Sequence, residues 1–255
     1  FTYNLEDTAT LLRGDLTGID YLETAITYAS SVAISDGADA DSIPEYINTA
    51  DAVDIIDRLT ATDANVATAN TTYASDETMF SYSIQDTWAT LTTSSNATAV
   101  QQATEQDDGA GNTQAAISVV NTAGNVDSIS LSEFSDLYAL NTDLEYNIED
   151  SAANLYSNGA FATLAETALA GASAVNLSDD GSTFTDPATY DLINAQASGV
   201  TVTIDNLQSS YDDLYSSGSH NYQTALNNIN ASGTLYLVDS DGDVETLGDN
   251  DNGGG

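Results

Sequence analysis

Carboxylates dominate the chemistry open to this sequence, and they recur at the ends of short apolar alternations. Asp7, Asp36, Asp57, Asp86, Glu133, Asp150, Asp179 and Asp239 each close an apolar-x-apolar-x-acid pattern, starting at Tyr3, Val32, Val53, Tyr82, Ile129, Tyr146, Val175 and Leu235. Val200/Val202/Ile204 repeats the pattern without the in-phase acid. On stacked parallel strands about 4.8 Å apart, such acids would form a row that needs helix N-termini or bridging cations to hold it. Asp7, Asp36, Asp86, Asp150 and Asp179 are expected to act first as helix caps, because a strand-end carboxylate accepts the orphan N–H groups of a following helix. The same oxygens are candidate Ca²⁺ ligands, since calcium takes carboxylate and carbonyl oxygens in flexible loops. A separate calcium candidate is the trio Asp239, Asp241 and Asp243, in Asp239-Ser240-Asp241-Gly242-Asp243. Its rival is a plain acidic turn joining 234–238 to 244–247. The spacing is not that of an EF-hand, whose glycine falls at the sixth position and whose acid falls at the twelfth.

Catalytic hardware is sparse. His220 is the only histidine, and no G-x-S-x-G segment offers it a nucleophile to activate. No pair among the acids is singled out for glycoside hydrolysis. Cysteine is absent, which removes disulfides, thiolate zinc sites and Cys nucleophiles. The reading is non-enzymatic. Trp88 stands where the repeat otherwise has a small residue, and is expected to fill core more readily than to stack on a sugar. Asn70, Asn96, Asn176 and Asn230 each head an N-x-[ST] triplet, a frequency near chance in a chain so rich in Asn, Ser and Thr.

Charge narrows the partners. The 255 residues carry 40 acids against Arg13 and Arg58, with no lysine, for a formal charge of -38. Charged residues still make up only 16%, below the usual quarter or so, so the acidity comes from missing bases. Self-repulsion of this size favours salt or divalent cations. It argues against nucleic acid, whose phosphates need several basic contacts, and against anionic membranes. No apolar run approaches the roughly 18 residues of a membrane span, so no membrane insertion is expected. An export signal, if used, is expected to be removed or to lie outside this chain.

The elements that must position these residues follow from an internal repeat. Thr2 to Asp36 aligns without a gap with Glu145 to Asp179, Tyr3-Asn4-Leu5-Glu6-Asp7 facing Tyr146-Asn147-Ile148-Glu149-Asp150. A looser match continues, with Ile56-Asp57-Arg58-Leu59 against Ile204-Asp205-Asn206-Leu207, and Asn112 to Ile117 against Asn221 to Leu226. A third Tyr-led copy begins at Tyr82, inside an insertion of the first block. Period-two alternation gives short strands. The capping residues and Ala-rich stretches that follow give helices, including one face through Phe161, Leu164, Ala168 and Leu169. Pro44 and Pro187 sit near the starts of helical segments 45–50 and 188–197. Strands alternating with helices imply parallel pairing through right-handed crossovers, and short units must stack to share a core. The expected fold is an α/β repeat solenoid, the alternative a pair of similar compact α/β domains. The expected divisions are 1–143, 144–247 and a flexible acidic Gly-rich tail at 248–255.

Tyr146-Asn147-Ile148-Glu149-Asp150-Ser151-Ala152-Ala153-Asn154-Leu155 resembles the Y-x-[IL]-x-D-[ST]-A-A-N-L tandem repeats of very large secreted, RTX-associated bacterial surface proteins. The resemblance covers the Tyr-led motifs and, less fully, the segments at Val32 and Val175. It implies extracellular display and roles in surface layers, adhesion or motility, and it carries no catalytic residues. The chain departs from RTX proteins in having no G-G-x-G-x-D nonapeptide. The expectation is a cell-surface structural protein, such as an S-layer, filament, sheath or giant-adhesin segment, whose partners are copies of itself, neighbouring repeats or a cell-surface polysaccharide. The alternative is a binding module for a glycan or receptor.

Overall fold

The structure is a computed structural model that describes residues 3–7, 29–34, 46–61, 80–107, 113–178, 186–197, 199–210, 222–238 and 244–245. The architecture is mixed α/β, with sheets of parallel strands and intervening helices. Two compact units divide it, one of residues 1–127 with 135–145, the other of residues 128–134 with 146–255.

In the first unit, β1 (Tyr3–Asp7), β2 (Ala29–Ile34) and β3 (Phe80–Ser81) pair in parallel and in chain order. Helix α1 (Thr49–Ala61) follows Ile47, whose parallel bridge to Ile84 adds a further row beside β4 (Ile84–Asp86). Helices α2 (Trp88–Leu91) and α3 (Ala97–Gln102) lead to a small antiparallel pair, β5 (Gln106–Asp107) with β6 (Thr113–Gln114). Strand β7 (Ile117–Val119) then lies between β4 and β9 (Leu144–Glu145). Ile84, Leu91, Val100, Ile117 and Val119 are buried here.

In the second unit a six-stranded sheet again follows chain order. It comprises β8 (Ser128–Ile129), β10 (Asn147–Asp150), β13 (Val175–Leu177), β14 (Val202–Ser210) and β15 (Ile229–Val238), all parallel, then β16 (Val244–Glu245), antiparallel to β15. Helix α4 (Leu131–Tyr138), whose residues from Ser135 on belong to the first unit, follows β8, and α5 (Ala152–Leu155) follows β10. The hairpin β11 (Tyr156–Ser157) with β12 (Ala160–Phe161) precedes α6 (Ala165–Gly171). Helix α7 (Pro187–Gln196) joins β13 to β14, and α8 (Tyr222–Asn227) precedes β15. None of these sheets has the reversal of strand order that marks a doubly wound domain. Ile148, Leu177, Val202 and Ile204 point into the core from adjacent strands, each fully buried, and their alternation with exposed Glu149 and half-buried Asn176 and Thr203 is the expected strand period.

Register shows how far the repeat is real. Leu5 pairs with Val32 and Asp7 with Ile34, as Ile148 pairs with Val175 and Asp150 with Leu177. Ile84 with Ile117 and Asp86 with Val119 repeat the arrangement. The three Tyr-led segments therefore open equivalent parallel pairs.

Several sequence expectations are corrected. Val53/Ile55/Asp57 is not a strand but the middle of α1; Asn48 Oδ1 accepts the Asp51 N–H at 2.8 Å, and this cap starts a helix that a three-residue alternation is too short to oppose. Residues 45–50 are not helical throughout, because Ile47 bridges Ile84 and the helix begins at Thr49. Of Ile129/Leu131/Glu133 only Ile129 is strand; Glu133 accepts the Ser130 N–H at 2.8 Å and donates its own N–H to Ser130 Oγ at 3.3 Å, a capping box that turns the chain into α4. Phe161 and Leu164 precede α6 rather than share its face. The looser repeat matches also fail, since 56–59 is helix against strand at 204–207, and Thr113–Gln114 is strand against helix at 222–227. Helix α7 agrees with expectation: Asp186 accepts the Ala188 and Thr189 N–H groups at 3.0 Å, and Pro187 occupies the first turn.

Candidate functional site

The repeated strand-end carboxylate is the chemistry-bearing feature, and Asp86 and Asp150 show what it does. Asp86 Oδ1 accepts the Thr87 N–H at 2.8 Å, while Oδ2 accepts the Thr49 N–H at 3.1 Å. Asp150 Oδ1 accepts the Ser151 N–H at 2.8 Å and the Asn154 side-chain amide at 2.7 Å, while Oδ2 accepts the Leu131 N–H at 2.9 Å. Thr49 and Leu131 are the first residues of α1 and α4. Each carboxylate thus lies between the start of the turn that follows it and the start of a helix earlier in the chain. The helix after each acid is capped by the next residue instead: Thr87 Oγ1 accepts the Thr90 N–H at 3.4 Å, and Ser151 Oγ the Asn154 N–H at 3.2 Å. Both N-caps have φ −70° and ψ 148°. For Asp86 and Asp150 the expectation is corrected in one respect: each carboxylate accepts an N–H at the start of a helix, but of an earlier helix rather than the one that follows it. Oδ1 stays with the turn that follows, while Oδ2 reaches across to the start of a helix earlier in the chain.

The Tyr-led start of each unit is equally alike. The Tyr82 hydroxyl donates to the Ala99 carbonyl at 2.7 Å, and the Tyr146 hydroxyl to the Ala168 carbonyl at 2.9 Å. Both rings are buried, and burial raises the Tyr82 phenol above its ordinary pKa. Tyr146 also packs on Phe134 at 5.0 Å between ring centres. Gly171 fits closely against this residue, since a Cβ there would lie 2.8 Å from the Tyr146 hydroxyl oxygen. One polar atom breaks the pattern: Thr49 Oγ1 is buried without a hydrogen-bond partner, where the second unit has Leu131.

Among the described residues no three His, Cys, Asp or Glu side chains gather as a metal site. Asp7 ends β1 at the position equivalent to Asp150. Asp36 and Asp179 lie outside the described residues, as do Asp239, Asp241, Asp243, His220 and the 248–255 tail. The strands on either side of the Asp239–Asp243 segment, β15 and β16, pair antiparallel through Val238 with Val244. Trp88 is half-buried at the start of α2 rather than part of the core.

A second polar group, not anticipated from the sequence, crosses three adjacent strands. Asn230 Nδ2 donates to Asn176 Oδ1 at 2.8 Å and to Asp205 Oδ1 at 2.6 Å, and Thr203 Oγ1 donates to Asn176 Oδ1 at 2.9 Å. The triplets headed by Asn176 and Asn230 are thus strand residues with engaged amides, and the Asn96 amide donates to the Thr90 carbonyl at 2.8 Å; Asn70 lies outside the described residues. The signal for this ladder was the polar residue between the apolar positions of each strand, which becomes legible only once the registers are known.

Compared with known proteins, the chain matches no family model, no curated protein and no solved structure.

Proposed function

We propose that this chain is a non-enzymatic structural segment of an extracellular or cell-surface protein, built as an α/β solenoid of stacked repeats that associates with copies of itself. The observation that carries the reading is the shared bonding of Asp86 and Asp150, each joining its own turn to a helix earlier in the chain. A side chain spent on backbone N–H groups in two successive units serves continuity of the stack. Chain-order parallel sheets add support, because such sheets extend by adding like units and leave edges able to pair with another chain. The one-signed charge explains how such a surface stays dispersed until salt or divalent cations screen it. Calcium acts in this reading through that screening and through the acidic 239–243 segment. The test is electron microscopy of the purified chain with calcium and with chelator: ordered filaments or sheets are expected with calcium, and single particles under every condition would overturn the reading.

A further inference from the structure

The Tyr82 and Tyr146 units differ between the tyrosine and the carbonyl that its hydroxyl meets. From the tyrosine to the alanine carbonyl that its hydroxyl meets is 17 residues in the Tyr82 unit and 22 in the Tyr146 unit. The longer interval holds the hairpin β11–β12, turned by Asn158 and Gly159 with φ of 52° and 81°. The fold of the unit does not need this hairpin, since the Tyr82 unit passes from α2 through a 3₁₀ turn into α3 without one. Insertions into repeats gather on one face, often the binding face.

The hairpin and the start of α6 enclose an open groove of about 620 Å³, within the range of small-ligand sites. Its apolar wall contains Tyr156 and Phe161, which meet edge to face at 5.0 Å, together with Leu164. Leu164 has a φ of 66°, a left-handed backbone that a leucine adopts only where its surroundings impose it. Leu192 also lines the groove, 45% exposed and the one exposed large apolar side chain among the described residues. Thr163, Glu166 and Thr167 supply exposed polar groups at the rim.

We propose that this groove binds a neutral sugar ring of a polysaccharide or glycan. A pyranose offers a C–H face to the aromatic and leucine wall, and a rim of hydroxyls to the two threonines and the Glu166 carboxylate. The charge of -38 repels uronates, sulfates and phosphates, which leaves neutral sugars. A protein partner would need about 800 Å² on each side for a stable complex, more than one short hairpin and a helix start provide. This site is independent of self-association, which depends on sheet edges and stacked units rather than on the hairpin.

The test titrates the full chain with neutral gluco-, manno-, galacto- and xylo-oligosaccharides, with a uronate oligosaccharide and with a tetralysine peptide, at low and high salt. One neutral series is expected to bind with little salt dependence. Leu192→Ser and Thr167→Ala, both at exposed positions, are expected to weaken it at least tenfold with an unchanged melting temperature, and Glu166→Gln severalfold. No neutral sugar binding, binding indifferent to these substitutions, or binding of the cationic peptide alone that salt abolishes would each overturn the proposal. Assembly is read separately as particle mass, so failure here leaves the structural reading standing, and the reverse holds too.

Discussion

Asp150 Oδ2 accepts the backbone N–H of Leu131 at 2.9 Å, across 19 residues of chain. The contact runs against the chain direction, from the end of one strand to the first turn of a helix already passed. Asp86 and Thr49 repeat it across 37 residues at 3.1 Å. Different intervals with the same bond mean that the geometry of adjacent rows, not the loop between them, brings the partners together.

Removing that acceptor is expected to damage the earlier helix first. Asp150→Ala leaves the Leu131 and Ser151 N–H groups without their partner in a site only 8% exposed, at a cost of about 2 kcal/mol. Asp150→Asn keeps one acceptor oxygen and should cost less. Hydrogen exchange is the telling readout: protection of the Leu131 amide should fall more than that of amides in the middle of α5, and equal loss at both would show that the carboxylate merely stabilises its own turn.

Gly171 and Tyr146 should be energetically coupled. Gly171→Ala places a methyl 2.8 Å from a hydroxyl oxygen held by the Ala168 carbonyl, so a loss of about 1–2 kcal/mol is expected from overpacking. With Tyr146→Phe in place the same substitution should cost markedly less. Additive losses in urea denaturation of the two singles and the double would contradict the close contact.

Thr49→Val is expected to stabilise the chain by about 1 kcal/mol, because it replaces a buried hydroxyl that lacks a partner with a methyl of the same shape. The second unit already places an apolar residue, Leu131, at the equivalent position. A lower melting temperature for the variant would show that the hydroxyl is satisfied.

Alkaline pH should unfold the protein through its buried phenols. Burial raises the Tyr82 and Tyr190 pKa values, and burial followed by the charge and hydrogen bond of Glu145 raises that of Tyr46. The unfolded chain releases these protons near the ordinary value of 10.0, whereas the folded chain holds them. Stability is therefore fully present below about pH 10 and falls as pH rises above it. Denaturant midpoints measured between pH 8 and pH 11 should drop at the upper end, and Tyr82→Phe should flatten the drop.

Parts of this fold were legible in the residues. The Tyr-led segments open equivalent strand pairs, and Pro187 marks the start of α7, because both signals are local. The direction of the Asp150 bond was not legible, since its donor is a backbone N–H and any residue could stand at position 131. Val53 to Asp57 misled because an alternation of only three positions is too short to specify a strand, and the cap at Asn48 decides for helix. The ladder of Asn176, Thr203, Asp205 and Asn230 depends on which strands are neighbours. Asn158-Gly159, by contrast, is a strong hairpin signal in its own right, and it competes with the helical spacing of Phe161 and Leu164 that follows it.

Sedimentation velocity of the purified chain, run over a concentration series in low salt, in higher sodium chloride and with millimolar calcium, tests the structural role most directly. The expected result is a single small species in low salt, where a charge of -38 keeps copies apart, growing with concentration into large assemblies once sodium or calcium screens it. A species that stays at the 26.5 kDa of one chain at every concentration and in every salt would contradict the account.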